Sequence, residues 1–307
     1  MTTISKRVTV LMGGASAERD VSLRSGRAAA QALEQAGYEV TQVDAGRDPA
    51  ELVRAVAETT PDVVFNALHG RFGEDGCVQG LLNLLGVPYT HSGLLASAAA
   101  MDKAFARQVF ESAGIPVARG RVVRRGEAAQ LPRPHVVKPL NEGSSFGVYI
   151  LQDGDNRDPL ADWPFDSDVV LVEEFIPGRE ITVAVMGERA LGALEITSDR
   201  GFYDYEAKYA PGGSRHIMPA PLPEADYAEA CRLAVAAHRA LGCRGVSRAD
   251  LRYDDTRPGQ PPRLVMLEVN TQPGMTATSL VPEIAAHAGI GFPELVRWMV
   301  EEARCDA

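Results

Sequence analysis

The first hundred residues alternate between short apolar runs and stretches with helical spacing, and this alternation is what most limits the fold. "VTVLM" (8–12) reads as a strand, "GGASAERD" turns the chain, and a helix follows through "SLRSGRAAAQALEQAG". The strand "YEVTQVD", a helix near 50–58 and the strand "DVVFNAL" (62–68) continue the pattern. Strands alternating with helices pair in parallel, because each crossover helix covers one face of the sheet. The pattern predicts a doubly wound parallel sheet, with functional loops at the carboxyl ends of its strands. "GGASAERD" and "HGRFGEDG" fall at those ends. A dinucleotide-binding turn is an alternative for "GGASAE", with Asp44 ending the second strand, but the run lacks GxGxxG spacing and carries Glu18.

From about residue 101 the pattern changes. A helix "MDKAFARQVFESAG" precedes the strand "HVVKPL", the polar loop "NEGSSFG" and the strand "VYIL". "DVVLVEEFIPGREITVAVMG" reads as two strands joined by a Pro-Gly turn, so an antiparallel α+β module is expected here. A third section opens with "ALGALEIT" and a long Gly/Tyr-rich loop. Its helix through 224–241 stops at Gly242, and two strands and a last helix follow. The expected domains are 1–100, α/β; 101–187, central; and 188–307, C-terminal.

A net charge of −10 argues against a nucleic-acid partner, which needs a clustered basic face. No run approaches the roughly 18 apolar residues of a membrane span, and "VTVLM" is too short for a signal-peptide core. The four cysteines are scattered without a CxxC pair, which points to a reducing cytoplasm rather than disulfides or zinc.

The chemistry concentrates in the last two strands. In "LVMLEVNTQPGM", period-2 alternation places Leu264, Met266, Glu268 and Asn270 on one face. In "GVSRADLRYD" it does the same for Arg248, Asp250 and Arg252. The turn-rich connector "DTRPGQPP" favours an antiparallel hairpin. With the turn centred near Gly259, Asp250 faces Glu268 with Cβ atoms about 4.5–5.5 Å apart. Carboxylates that close repel, and a divalent cation resolves the conflict, with the Asn270 carbonyl completing a hard oxygen set suited to Mg²⁺ beside nucleotide phosphates. A solvated edge or an ion pair to Arg248 is the alternative. Lys138 ends a strand just before "NEGSSFG", a loop able to wrap phosphates with backbone N–H groups or simply to close a hairpin.

Taken in order, Lys103 in "MDK", Lys138 in "VVKP", "EGSSFGV", "VEEFIPGREITV", "FYDYEAKY", "RADL" and "LEVNTQPGMT" resemble the D-alanine–D-alanine ligases of the ATP-grasp fold. "LMGGASAERDVSLRSG" and "ALHGRFGEDGCVQGLL" resemble the same family, so the likeness covers essentially the whole chain. It implies three domains, the first substrate-binding and the last catalytic, with ATP between the central and C-terminal ones. It places Lys103 and Lys138 on the ATP phosphates, and Ser144 and Ser145 in the loop that covers them. Glu173, Glu174 and Phe175 fall in the adenine-binding hinge, Glu180 on the ribose, and Lys208 in the loop that closes over the site. Asp250, Glu268 and Asn270 match the ligands of two Mg²⁺ or Mn²⁺ ions. Glu18 matches the residue holding the first D-alanine's ammonium, with His69 beside it, and Ser144 and Tyr209 link Glu18 to the loop. Ser279 and Leu280 match the residues holding the second D-alanine's carboxylate.

The implied reaction forms an acyl phosphate and ADP, then lets the second amine attack through a tetrahedral oxyanion met by Arg248 and the Gly274 N–H. The resemblance also implies a homodimer and a role in peptidoglycan precursor synthesis. Gln272 departs from the pattern where serine is common, and "VSRADL" replaces a Gly-Arg-Ile-Asp run. Neither departure removes a ligand. Ligases that use D-lactate or D-serine as second substrate, and a non-catalytic ATP-binding regulator, are the rival readings.

Overall fold

The computed structural model describes residues 6–124, 127, 131–143, 146–155, 163, 167–197, 213–276 and 278–306. Three strands, β1 (Arg7–Gly13), β2 (Glu39–Ala45) and β3 (Val63–Asn66), form the expected parallel sheet in the order β2-β1-β3. Val8, Val10 and Phe65 pack against Ala29, Ala30 and Leu33 of the helix Arg19–Gln35. Gly13 leaves β1 with φ +85°, and a Cβ there would collide with the Asp44 carboxylate. Asp44 itself accepts from Arg19 Nη1 and Nη2 at 2.8 and 2.6 Å. The carboxylate that a dinucleotide ribose would need is therefore already taken.

A central sheet comprises β4 (Gly120–Arg124), β5 (His135–Pro139), β6 (Tyr149–Leu151) and β7 (Val169–Glu174), antiparallel in the order β4-β7-β5-β6. A third sheet holds β8 (Arg179–Met186), β9 (Arg189–Thr197), β10 (Arg215–Ile217), β11 (Val246–Asp254) and β12 (Arg263–Asn270), in the order β10-β9-β8-β11-β12. The Pro-Gly segment between β7 and β8 thus carries the chain from one sheet to another. The boundary expected at 187/188 falls in the turn between β8 and β9, which pair with each other, and sheet membership changes at 175–178 instead. The physical reason is that β8 is central and buried on both faces. Ile181 and Val183 meet the helix Glu224–Ala240, while Ala184 and Met186 face the core shared with the helices Leu280–His287 and Phe292–Glu301. A strand covered on both sides reads as a continuous apolar run, as "ITVAVM" does.

β11 and β12 form the expected antiparallel hairpin, with Asp250 opposite Glu268 and Arg248 opposite Asn270. The expected facing of β12 is different. Leu264 and Met266 lie in the core with Val269, Ala249 and Leu251, whereas Glu268 and Asn270 face away from that core into a cleft. The register shifts between Asp250, paired with Glu268, and Leu251, paired with Met266, so Leu267 is an extra residue. A β-bulge of one residue reverses the side-chain phase beyond it.

His91, 3% exposed and held at φ +70°, packs edge-on against Phe65 and lies under the Gly245 backbone. Burial, with the nearby His69 adding to it, pushes its pKa down to about 3. The folded protein keeps this ring neutral while the unfolded chain protonates below about 6.5, so acid favours unfolding through that window. Unfolding free energy measured by denaturant titration is expected to fall from pH 6.5 towards pH 4. His91→Asn, which tolerates positive φ, should flatten the fall, and an unchanged pH slope would assign it to other groups.

Candidate active site

One cleft opens between the central sheet and the β11–β12 hairpin. Lys138 enters it from the end of β5, with Nζ 2.6 Å from Glu173 Oε2. Both side chains are buried, at 8% and 7% exposure, and Arg107 Nη1 adds a second cation 3.5 Å from Glu173 Oε1. A buried lysine needs such a partner to keep its charge. Glu173 therefore serves here as the counter-charge of Lys138. Glu174 and Phe175 run on along the rim, Glu174 accepting from Arg119 N at 3.3 Å and Phe175 donating to Pro134 O at 3.2 Å. Glu180 lies 3.6 Å from Arg252 Nη1, and the Arg252 guanidinium also donates to Ile176 O and Gly178 O at 3.1 and 2.6 Å. Arg252 thus fixes the backbone where the chain changes sheets.

Lys103 is the first residue of the helix Lys103–Ser112, whose N-cap Asp102 accepts from Ala104 N and Phe105 N at 3.0 and 2.9 Å. The cap aims Lys103 Nζ at Glu142 O, 2.5 Å away, and at Glu268 Oε2, 3.9 Å away. Asp250 takes Thr182 Oγ1 at 2.6 Å and a two-pronged bond from Arg248 Nε and Nη2 at 2.9 and 2.8 Å. The ion pair considered as the alternative for this hairpin is thus present, and each facing carboxylate has a cation beside it. Asn270 Oδ1 accepts from Gln272 N at 2.8 Å. Among the described residues no three His, Cys, Asp or Glu side chains converge on one point. The oxygen set at this place is two carboxylates and one amide.

A second depression adjoins the first and shares Lys103, Glu142 and Glu268 with it. Around it stand Glu18, His69, Arg248, Asn270, Gly274, Ser279 and Leu280, all seven singled out by sequence. Glu18 immediately precedes the helix Arg19–Gln35. A Cβ on Gly143 would lie 3.2 Å from Glu18 Oε2, so the loop after β5 passes close over that carboxylate. His69 is buried, with Nε2 3.3 Å from Ser25 Oγ and Nδ1 3.9 Å from Glu74 Oε2. Ser25 Oγ accepts in turn from Met275 N at 3.2 Å, which ties the helix to the turn carrying Gly274. Ser279 holds the position just before the helix Leu280–His287, with its Oγ accepting from Thr276 N at 3.0 Å, and that oxygen would sit 2.9 Å from any Cβ at position 274. Ser144, Ser145, Lys208 and Tyr209 lie outside the described residues.

The family model described as the D-ala D-ala ligase C-terminus matches residues 106–301, and the one for the D-ala D-ala ligase N-terminus matches residues 49–92. A D-alanine–D-alanine ligase of Paramagnetospirillum magneticum is 82% identical over 306 residues, covering 99% of this chain and all of that protein. One from Rhodospirillum rubrum is 60% identical over 309 residues, with 99% of this chain and all of its own length covered. The crystal structure of the Bacillus anthracis ligase complexed with ATP superposes with a TM-score of 0.82 at 28% identity, over 97% of both chains. The chain belongs to the D-alanine–D-alanine ligase family. The mixed architecture described above is accordingly the ATP-grasp fold.

Within this family member, sequence reading passed over Glu74 and assigned no role to Arg252 or Gln272. Glu74 was within reach, since it shares the turn "HGRFGEDG" with His69, and it is the one carboxylate there that joins the depression. Its Oε2 is buried without a hydrogen-bond partner among the described residues. The roles of Arg252 and Gln272 gave no local signal, because the partners of their side chains lie 72 to 206 residues away in sequence.

Gly274→Ala is expected to push Ser279 aside and reshape the turn. Dipeptide formation should drop at least tenfold while nucleotide affinity, measured by calorimetry, stays within about twofold. Full activity in this variant would show that the Gly274–Ser279 contact has no bearing on the reaction.

Proposed function

We propose that this protein joins two D-alanines to D-alanyl-D-alanine at the expense of ATP, through an acyl phosphate, for peptidoglycan precursor synthesis. The observation that carries the reading is the shared wall of Lys103, Glu142 and Glu268 between the two depressions. A nucleotide in the first would bring its γ-phosphate to an amino acid in the second.

In this reading Glu18 holds the ammonium of the first D-alanine and His69 flanks it. A carboxylate oxygen of that D-alanine attacks the γ-phosphorus, and ADP departs. Lys103 and Lys138 offset the charge spread over the transferring oxygens. Ser279 and the N-terminal N–H groups of the helix Leu280–His287 receive the second carboxylate, as helix starts do for anions. The second amine adds to the acyl carbon, and the oxyanion that forms is met by Arg248, held in place by Asp250, and by the Gly274 N–H. Collapse expels phosphate, and the amine loses its proton.

Asp250, Glu268 and Asn270 offer the hard oxygen atoms that Mg²⁺ or Mn²⁺ takes beside phosphates. The present geometry fits such use, since Glu268 is only partly buried and its nearest cation, Lys103, stands 3.9 Å away. Bound metal would neutralise phosphate charge. The reading includes a cytoplasmic homodimer acting on small molecules, without nucleic acid or membrane as partner. In support of a reducing compartment, the four cysteines are free.

The test is an assay of purified protein with ATP, Mg²⁺ and D-Ala, D-Ser, D-lactate or L-Ala, following phosphate release and product mass. D-Alanyl-D-alanine is expected as the main product. A depsipeptide or mixed dipeptide as main product would transfer the protein to a rival specificity, and no phosphate release would leave only a nucleotide binder. Removing one oxyanion donor typically lowers kcat by about 10²–10³. Arg248→Ala should show a loss of that order with ATP still bound, and near-wild-type turnover would take Arg248 out of the mechanism.

A further inference from the structure

Gln272 stands two residues beyond β12, and its side chain leaves its own sheet. It is 1% exposed and plugs into the turn that follows β3. Its Oε1 accepts from Asn66 Nδ2 at 2.8 Å and from Gln79 Nε2 at 3.4 Å, and its Nε2 donates to Leu68 O. That carbonyl belongs to the peptide unit joined to His69. Asn66 and Gln79 also both donate to Gly73 O, at 3.1 and 3.0 Å, and Gly73 precedes Glu74. Three amide side chains thus frame the turn that presents His69 and Glu74. At its other end, Gln272 donates its backbone N–H to Asn270 Oδ1 at 2.8 Å. Gly274 lies two residues further on.

We propose that Gln272 is a positioning residue that sets the first D-alanine pocket relative to the phosphoryl-transfer side of the site. One residue holds the peptide in front of His69 with its side chain and the oxygen of Asn270 with its main chain. The first carboxylate must meet the γ-phosphorus in line, and misplacement by about 1 Å can cost on the order of 10²-fold in rate. A shorter polar side chain, such as serine, would not span from the 271–274 turn to Leu68 O. The inference rests on the reading that Glu18 and His69 hold the first D-alanine.

Gln272→Met keeps the volume and the backbone donor while removing the amide. The variant is expected to raise the Michaelis constant for the first D-alanine about tenfold and to lower kcat. The Michaelis constant for ATP should stay within about twofold, and the thermal melt should remain cooperative. A general loss of structure would move the ATP constant as well, so the split between the two constants is the readout. Gln272→Ser gives the same comparison should the methionine variant not fold.

Glu18→Gln, measured alongside, separates two kinds of failure. If Glu18→Gln raises the first D-alanine constant and Gln272→Met leaves it at the wild-type value, the proposal is overturned while the site reading stands. If Glu18→Gln also leaves that constant unchanged, the site reading itself falls.

Discussion

One residue without a cross-strand partner, Leu267, decides which side of the C-terminal sheet each chemical group of β12 occupies. Before it, Leu264 and Met266 are buried against helices. After it, Glu268 and Asn270 look the other way, into the cleft. Burying each of the two apolar side chains contributes about 1.5–3 kcal/mol. Sending an unpaired carboxylate into the same core would cost several kcal/mol more than it returned. A regular strand would force one of these outcomes on the other. The bulge satisfies both, and it does so at the point where Asp250 comes opposite Glu268.

The rest of the site is arranged around that point. Arg248 and Thr182 hold Asp250 from neighbouring positions in the sheet, and Lys103 approaches Glu268 from a helix start fixed by Asp102. Arg252, the next residue of β11 on the same face, clamps the segment where the chain passes from the central sheet into this one. The N-terminal sheet adds Glu18 and His69 from two strand-end loops, the location expected for a doubly wound fold. Three sheets thus converge on one pair of depressions, and the chemistry sits where they meet.

Much of this was legible in the sequence, for identifiable reasons. The parallel sheet announced itself through apolar runs bounded by turns. Glu18, His69, Arg248, Gly274, Ser279 and Leu280 were reached through the order of the family's motifs, and the structure gathers them around one depression. The pairing of Asp250 with Glu268 followed from a turn centre at Gly259. Stepping four residues inwards from the Asp254–Arg263 pair at the loop end would instead bring Leu267 opposite Asp250, and the bulge supplies the missing step. The facing of β12 was misread for the same reason, since periodicity cannot reveal one inserted residue. The change of sheet between β7 and β8 was likewise hidden, because a Pro-Gly turn looks alike in a hairpin and in a crossing. Gln272 depends on contacts distant in sequence, which no local pattern carries.

The most direct measurement of the central claim is anomalous diffraction from crystals grown with ADP and Mn²⁺. Manganese is expected to be bound by carboxylate oxygens of Asp250 and Glu268 and by Asn270 Oδ1, together with nucleotide phosphate oxygens. Asp250 and Glu268 should still be paired across the bulge. Manganese held by the nucleotide alone, with Glu268 turned away from it, would contradict the account.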